Sequence, residues 1–332
     1  MRQIETNRII EKRIKNSPLY RDLQLVLGQM SDSLYLMAQC AGDTMNADLS
    51  DMISSGGKRL RPLLAYICYR MGPGRDRDIL PLMCMLELMH TASLIHDDVV
   101  DNADLRRGRQ TINNIRGDFS AVQSGDFLLA KAMELLHKYK GTGINEMLAD
   151  VSYNMTVGEL TQQSMRYKFE EQSVDVYYGL IRKKTALLLS ASCWCGAIAG
   201  GMDPEKAGRL REYGEKLGIA FQLRDDLIDY TESSGKLPGQ DIRNGIFTLP
   251  VLTLIERGLP DSVRELLMKR EKTGGEVQSL IRYVKDSDVL ELVETTVASI
   301  SREAVSKLQG FTDSREVKAL SELVLSLAER QS

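Results

Sequence analysis

The hydrophobic positions of this chain recur at helical spacing almost throughout, and the alternation that marks strands is nearly absent. Residues 1–15 predict a charged amphipathic helix stopped by Pro18, and residues 19–49 predict one or two helices with Leu, Val and Met along one face. Ser54 to Gly57 break the pattern. Pro62 then stands at the start of a helix to about Arg70, where the N–H that proline lacks would have no helical partner anyway. A turn over Met71 to Arg75 leads into a long apolar helix over 78–103. A basic, glycine-containing loop from Arg106 to about Gly117 comes next. Helices over 119–139 and 145–168 are parted by Gly141 and Gly143, and helices over 174–199 and 204–231 by Gly200, Gly201 and Pro204. A loop over 233–245, a shorter helix over 247–257, and three or four amphipathic helices complete the chain. No stretch reads as a linker between domains. The prediction is one all-α domain over 1–332, a single large bundle of ten or more helices. It has an N-terminal helical extension over 1–40, a core over 56–250 and C-terminal helices over 260–332.

Two of these helices carry acid where a core helix should not. In HTASLIHDDVVDNADLRRG, residues 90–108, Asp97 and Asp101 are four apart with Asp98 between them. In GIAFQLRDDLIDY, residues 218–230, Asp225, Asp226 and Asp229 repeat the spacing. Residues four apart share a helix face, and like charges there repel unless something neutralises them. One such cluster would read as a solvated face. Two, each embedded in apolar sequence, point to carboxylates lining a central cavity. Magnesium suits them best, because it prefers oxygen, keeps several waters and is shared with substrate phosphates.

Composition narrows the classes further. The net charge of −3 gives no global field for nucleic acid or an acidic membrane. No apolar window reaches the roughly 18 residues of a membrane span, and the N-terminus has no signal-peptide core, so the expected location is cytoplasmic. Five scattered cysteines, Cys40, Cys68, Cys84, Cys193 and Cys195, read as buried free thiols, and Cys193 and Cys195 lack the spacing of a zinc pair.

Basic residues cluster in the motifs. Lys58 and Arg61 follow a Gly-Gly turn at a helix start, Arg106 and Arg107 follow the first acidic cluster, Lys184 interrupts an apolar helix, and Lys236 lies after the second cluster. Together they read as phosphate-binding groups; Arg59 and Lys183 read as solvated surface. No G-x-x-x-x-G-K-[ST] loop is present, so a nucleotide is not implied. Carboxylates, metal and cations together suit a departing diphosphate, and apolar walls suit a hydrocarbon cation formed beside it.

The motifs GGKRLRP at 56–62, LIHDDVVDNADLRRG at 94–108, GDFLLA at 125–130, KKTALL at 183–188, GIAFQLRDDLIDY at 218–230 and GKLPGQDIRNG followed by TLP at 235–250 carry a resemblance. With them the sequence resembles the trans-isoprenyl diphosphate synthases, or polyprenyl synthetases, of long-chain type, over roughly residues 40–330. The resemblance implies an isoprenoid-synthase fold, a prenyltransferase activity and three Mg2+ ions. It makes Asp97, Asp101 and Asp225 the main metal ligands, supported by Asp98, Asp226 and Asp229. Arg106, Lys184, Thr185, Gln222 and Lys236 fall on positions that hold an allylic prenyl diphosphate, and Lys58, Arg61, His90 and Arg107 on those that hold isopentenyl diphosphate. In the implied reaction the allylic diphosphate ionises and the isopentenyl double bond attacks the cation head-to-tail. A proton is then lost, to the released diphosphate, giving an all-trans polyprenyl diphosphate. One departure stands out: where many members have Gly-Lys before x-Thr-Leu-Pro, Gly245 is followed by Ile246, so one phosphate-facing cation is missing.

The resemblance also frames product length. Ala92 and Ser93, five and four residues before Asp97, are small, which leaves a doorway open for a growing tail of hexaprenyl size or beyond. Met89, Met85, Met133 or Leu136 would set a deeper floor, with ordinary core packing an equal reading of each. Geranylgeranyl or farnesyl products are the alternative. A homodimer is implied, and a small accessory subunit is left open. Three rivals are weaker. Glu87 with His90 and Glu134 with His137, joined by Glu159, would suit a di-iron bundle but leave both aspartate clusters unexplained. A terpene cyclase would usually lack the second cluster and GGKRLRP. A non-catalytic partner subunit would tend to lose aspartates, and all six are present here.

Overall fold

The computed structural model describes residues 19–39, 43–54, 59–74, 77–106, 108–230 and 238–328. The expected helix over 1–15, and Lys58, Arg107 and Lys236, lie outside these residues.

Helix α4 (Leu80–Val100) is the centre. It begins at Ile79 with Pro81 in its first turn, and almost every side chain from Pro81 to Ala92 is buried. A helix that is apolar all round must be covered on every side. Its sequence neighbours supply much of that cover: α1 (Leu19–Ala38), α3 (Leu60–Arg70) and, beyond a two-residue hairpin, α6 (Asp118–Leu136) all pack on it. A second apolar helix, α9 (Leu187–Ala199), is packed between α3 and α10 (Pro204–Ile228). The remaining helices close the bundle: α2 (Asp43–Ser54), α5 (Ile112–Arg116), α7 (Ile144–Met165), α8 (Val174–Ile181), α11 (Gln240–Arg243), α12 (Leu249–Arg257), α13 (Asp261–Met268), α14 (Gly274–Lys285), α15 (Val289–Ser306) and α16 (Arg315–Leu325). One hydrophobic core runs from Leu19 to Leu327. Cys68, Cys84, Cys193 and Cys195 are buried in it as free thiols.

The structure differs from the sequence reading in several places, one of them the short helix α11 inside the expected loop over 233–245. The loop after the first acidic helix contains a small antiparallel hairpin, β1 (Leu105–Arg106) and β2 (Arg109–Gln110), followed by α5. Helix 174–199 is not regular: α8 and α9 are joined by a π turn, Arg182–Ala186. The segment Leu19–Ala38, expected within an extension, buries Leu19, Leu23, Met30, Leu34 and Ala38 in the core.

Candidate active site

The two acidic helices use their aspartates unequally. On α4, Asp98 turns inward and is buried. Arg106, from β1, clasps it: Nε lies 2.8 Å from both carboxylate oxygens and Nη2 lies 2.7 Å from Oδ1. This bidentate pair ties the hairpin to the helix. Asp97 is half-buried and Asp101, at the C-cap, is exposed. They share the outward face, one turn apart. Burial pushes the Asp97 carboxyl up to about 7; Lys184 and Arg106 act against this, and Glu159 and Asp101 add to it.

On α10 the pattern repeats. Asp226 and Asp229 are buried and Asp225 is half-buried. The Tyr177 hydroxyl donates to Asp226 Oδ2, and Gln222 Nε2 donates to Oδ1 at 2.9 Å. Burial, followed by the charge of Asp241, raises the Asp226 pKa, while the bonds from Tyr177 and Gln222 oppose the rise. Asp229 accepts the backbone N–H groups of Gln240 at 3.1 Å and Asp241 at 2.9 Å, so it fixes where the chain re-enters after α10. Three of the six aspartates therefore hold the scaffold, and Asp97, Asp101 and Asp225 are the more exposed ones.

The π turn joins the two helices. A π turn carries one residue more than an α turn, which re-aims its side chains. Here Lys184 Nζ meets Glu159 at 2.5 Å and lies close enough to lower the Asp97 pKa. Its neighbour Thr185 donates to Gln222 Oε1 at 2.7 Å. Gly218 makes room for this, because a Cβ there would overlap Ala186. A chain of contacts thus runs from Glu159 through the π turn to Gln222 and Asp226.

Cavities lie on two sides of α4. One of about 500 Å³ is bounded by α2, by Glu87, His90, Thr91, Leu94 and Asp98 of α4, and by the Arg106 hairpin and α5. The other, about 180 Å³, is lined by Met89, Ser93, His96 and Asp97 of α4, Leu129 of α6, four residues of α7 including Glu159, and Lys184. It leads from the acidic rim into apolar side chains. Ala92, expected beside Ser93 in that wall, is fully buried and not part of it, being about 100° round the helix from Ser93. Met85 is in the core, Leu136 packs partly buried against it, and Met133, considered as a floor, points outward instead.

Arg59 is not a solvated residue. Its side chain is largely buried, donating to Glu87 Oε1 at 3.2 Å and to the Ile53 carbonyl at 2.8 Å, from a left-handed backbone position just before α3. Arg61 is half-buried in the first turn of α3, and Lys183 is half-buried. The Glu87–Arg59 pair also removes one ligand from the di-iron reading. A second expected ligand, Glu134, lies on the surface paired with Lys131, 3.1 Å away. Three residues have a place at this site that the sequence reading does not give them. Tyr177 gave no signal there; Glu159 figured only as a di-iron ligand; and Arg166, at the end of α7, pairs with Asp101.

Among the described residues no three His, Cys, Asp or Glu side chains form a metal cage of their own. This suits magnesium, which takes one or two carboxylates and completes its shell with water and substrate phosphate. The donor set consists of hard oxygens flanked by Arg106, Arg166 and Lys184, each able to face an anion.

The comparisons with known proteins agree. Residues 43–284 match the model of the polyprenyl synthetase family. The chain belongs to this family. It is 31% identical over 322 residues to heptaprenyl diphosphate synthase component 2 of Geobacillus stearothermophilus, covering 96% of this chain and 99% of that one. It is 31% identical to the octaprenyl diphosphate synthase of Escherichia coli over 81% of this chain and 84% of that protein. A polyprenyl synthase from Caulobacter crescentus, solved with calcium and isoprenyl diphosphate, superposes with a TM-score of 0.87 at 34% identity, over 94% of this chain and 97% of that one. The family, the all-α isoprenoid-synthase fold and the prenyltransferase class read from the motifs therefore stand. No helix among the described residues is long and apolar enough to cross a membrane.

Proposed function

We propose that this polyprenyl synthetase extends an allylic prenyl diphosphate with isopentenyl diphosphate to a long all-trans product of hexaprenyl size or beyond. What supports the reaction is the cavity of about 180 Å³ lined by Asp97 and Lys184 together with Met89, Leu129 and Met155, and what supports the long product is the likeness to heptaprenyl and octaprenyl diphosphate synthases. A charged rim over an apolar pocket fits a molecule with a diphosphate head and a prenyl tail.

Asp97, Asp101 and Asp225 would hold Mg2+, three ions by the family pattern, and the bound metal would supply positive charge to a departing diphosphate. Lys184 and Arg106 add fixed positive charge there. Thr185 and Gln222 hold the second acidic helix in register with the π turn. His90, lining the larger cavity beside Asp98 and Arg106, faces the space assigned to isopentenyl diphosphate, with Lys58, Arg61 and Arg107 as the further cations of the family pattern. Arg106 lines this larger cavity although its family position is with the allylic diphosphate, so it serves the boundary between the two substrates. The allylic carbon–oxygen bond breaks with its electron pair going to diphosphate. The isopentenyl double bond then bonds to the allylic carbon, and the proton lost from the adduct passes to the released diphosphate. Apolar walls exclude water, which would otherwise quench the cation.

The chain acts as a homodimer through the outer faces of α6 and α7, where Phe119, Val122, Met133, Tyr153 and Leu160 are exposed. A small second subunit is the alternative, because two similar Bacillus-group proteins are named as component 2 of a heptaprenyl diphosphate synthase. The experiment is direct. Purified protein receives magnesium, farnesyl diphosphate and excess isopentenyl diphosphate, and products are sized by mass spectrometry. A prenyl diphosphate of six or more units supports the reading. A geranylgeranyl product alone removes the long-chain part, and no condensation, with or without a candidate small subunit, removes the reaction.

A further inference from the structure

Helix α7 ends at Met165, and the next residue, Arg166, behaves unlike a helix-terminal arginine. Such residues usually cap the last carbonyls of their own helix. Arg166 reaches back across the site instead, and its Nη2 donates to Asp101 Oδ1. Its side chain is only 19% exposed. Its Nε is buried and makes no hydrogen bond. A guanidinium has five donors arranged for two-point contact with carboxylate or phosphate. Here one edge is used and an inner donor is left over.

The backbone shows that this placement is built. Tyr167 follows in the left-handed region at φ 62°, which a tyrosine adopts only when its surroundings demand it. Those surroundings are the loop after the second acidic helix. Tyr167 N–H donates to the Gly245 carbonyl at 3.0 Å, and its hydroxyl donates to the Arg243 carbonyl at 2.8 Å. Gly245, also left-handed at φ 68°, lies so close under the Tyr167 ring that a Cβ would overlap it. The Lys272 ammonium lies 5.0 Å from the centroid of the same ring. Arg166 is thus mounted on the segment 243–245 that follows one acidic helix, and extended toward the last aspartate of the other. The next residue along that loop, Ile246, carries no charge where the motif pattern calls for a cation.

We infer that Arg166 is a substrate-binding residue of this chain: it neutralises Asp101 while the site is empty and passes to the allylic diphosphate when metal takes the aspartate. This rests on the reading of Asp101 as part of the diphosphate site. Both partners gain by the exchange. Asp101 trades one donor for a divalent cation, and Arg166 trades a single carboxylate oxygen for a diphosphate, whose several oxygens can also satisfy Nε. A neighbouring pair, Lys184 with Glu159, can release its cation in the same way.

The test is binding of inorganic pyrophosphate with magnesium, followed by isothermal titration calorimetry on the intact protein, for Arg166→Met, Arg166→Lys and Asp101→Asn. Thermal unfolding confirms that each variant is folded. Arg166→Met should weaken pyrophosphate binding by roughly tenfold or more, the scale of one charge-assisted contact. Arg166→Lys should bind pyrophosphate more tightly than Arg166→Met but more weakly than the parent, because it keeps the charge and loses the two-point contact. In kinetics, Arg166→Met should raise the KM for the allylic substrate and leave that for isopentenyl diphosphate unchanged. If Arg166 is only a counter-ion, Arg166→Met frees Asp101 and pyrophosphate binds as well or better, which overturns the inference. If Asp101→Asn also binds pyrophosphate normally, the diphosphate-site reading itself fails.

Discussion

Lys184 and Thr185 are consecutive residues in one π turn, yet they serve different acidic helices. Lys184 lines the cavity beneath Asp97 and pairs with Glu159, and Thr185 donates to Gln222 one turn before Asp226. A regular α turn would set neighbouring side chains 100° apart; the extra residue of a π turn alters that angle and bends the helix locally. The first prediction follows from this. Thr185→Val keeps the shape of the side chain and removes the donor, so Gln222 loses one of the two partners that orient its amide toward Asp226. Turnover should fall by roughly tenfold, the worth of a hydrogen bond of about 1.4 kcal/mol, with little change in thermal stability. Steady-state kinetics beside a melting curve decide it. An unchanged rate would mean that the Thr185–Gln222 contact is incidental.

The unequal burial of the second cluster gives a paired prediction. Asp225→Ala should reduce turnover by orders of magnitude and leave the fold intact, because the half-buried side chain would serve metal and not packing. Asp226→Ala should also destabilise the protein, by roughly 1–3 kcal/mol, because it strands the Tyr177 hydroxyl and the Gln222 amide in a buried site. The measurements are product formation and denaturant unfolding of both variants. Near-normal turnover in Asp225→Ala would remove the metal-site argument.

Much of this was legible in the sequence for a physical reason. Aspartates at i and i+4 inside an apolar helix conflict with burial, so Asp97, Asp101, Asp225 and Asp229 announce themselves from a single chain. The division of labour among them was not legible, because it depends on partners far away in sequence. Asp98 is held by a hairpin that no alternation pattern marks, and Asp226 by Tyr177, 49 residues before it. The π turn was hidden for a similar reason: Arg182 to Ala186 have ordinary helical residues, and the extra residue is absorbed where Gly218 lets α10 come close. Arg59 was misjudged because its partner, Glu87, lies on another helix.

Ala92 and Ser93 separate cleanly by position. Ser93 lines the cavity below Asp97, with its hydroxyl donating to the His90 carbonyl at 2.8 Å, and Ala92 faces the packed core. Ser93→Phe should fill much of a space of about 180 Å³ and shorten the prenyl product while the protein stays folded. Ala92→Phe should act mainly on stability, since overpacking a full core costs typically 1–3 kcal/mol. Mass spectrometry of products and thermal unfolding of both variants distinguish these outcomes. A shortened product from Ala92→Phe with unchanged stability would move the tail to the other side of α4.

The outer wall of the same cavity bears on assembly. Phe119 is 76% exposed, Met133 65%, Tyr153 68% and Leu160 66%, on helices α6 and α7 whose inner faces supply Leu129, Ser152, Met155 and Thr156 to the cavity. Single exposed apolar residues are ordinary, but large ones repeated at helical spacing on two consecutive helices suit a surface that a partner covers. If these faces form the proposed homodimer, light scattering should report a dimer for the parent protein and a monomer for Phe119→Glu with Met133→Glu, because two carboxylates per subunit would be buried without partners. The dissociated protein should also shift its product distribution, since the helices that wall the prenyl tail lose their support from outside. A double variant that remains dimeric would place the interface elsewhere. One that becomes monomeric with the same products would show that α6 and α7 hold the cavity without a partner's help.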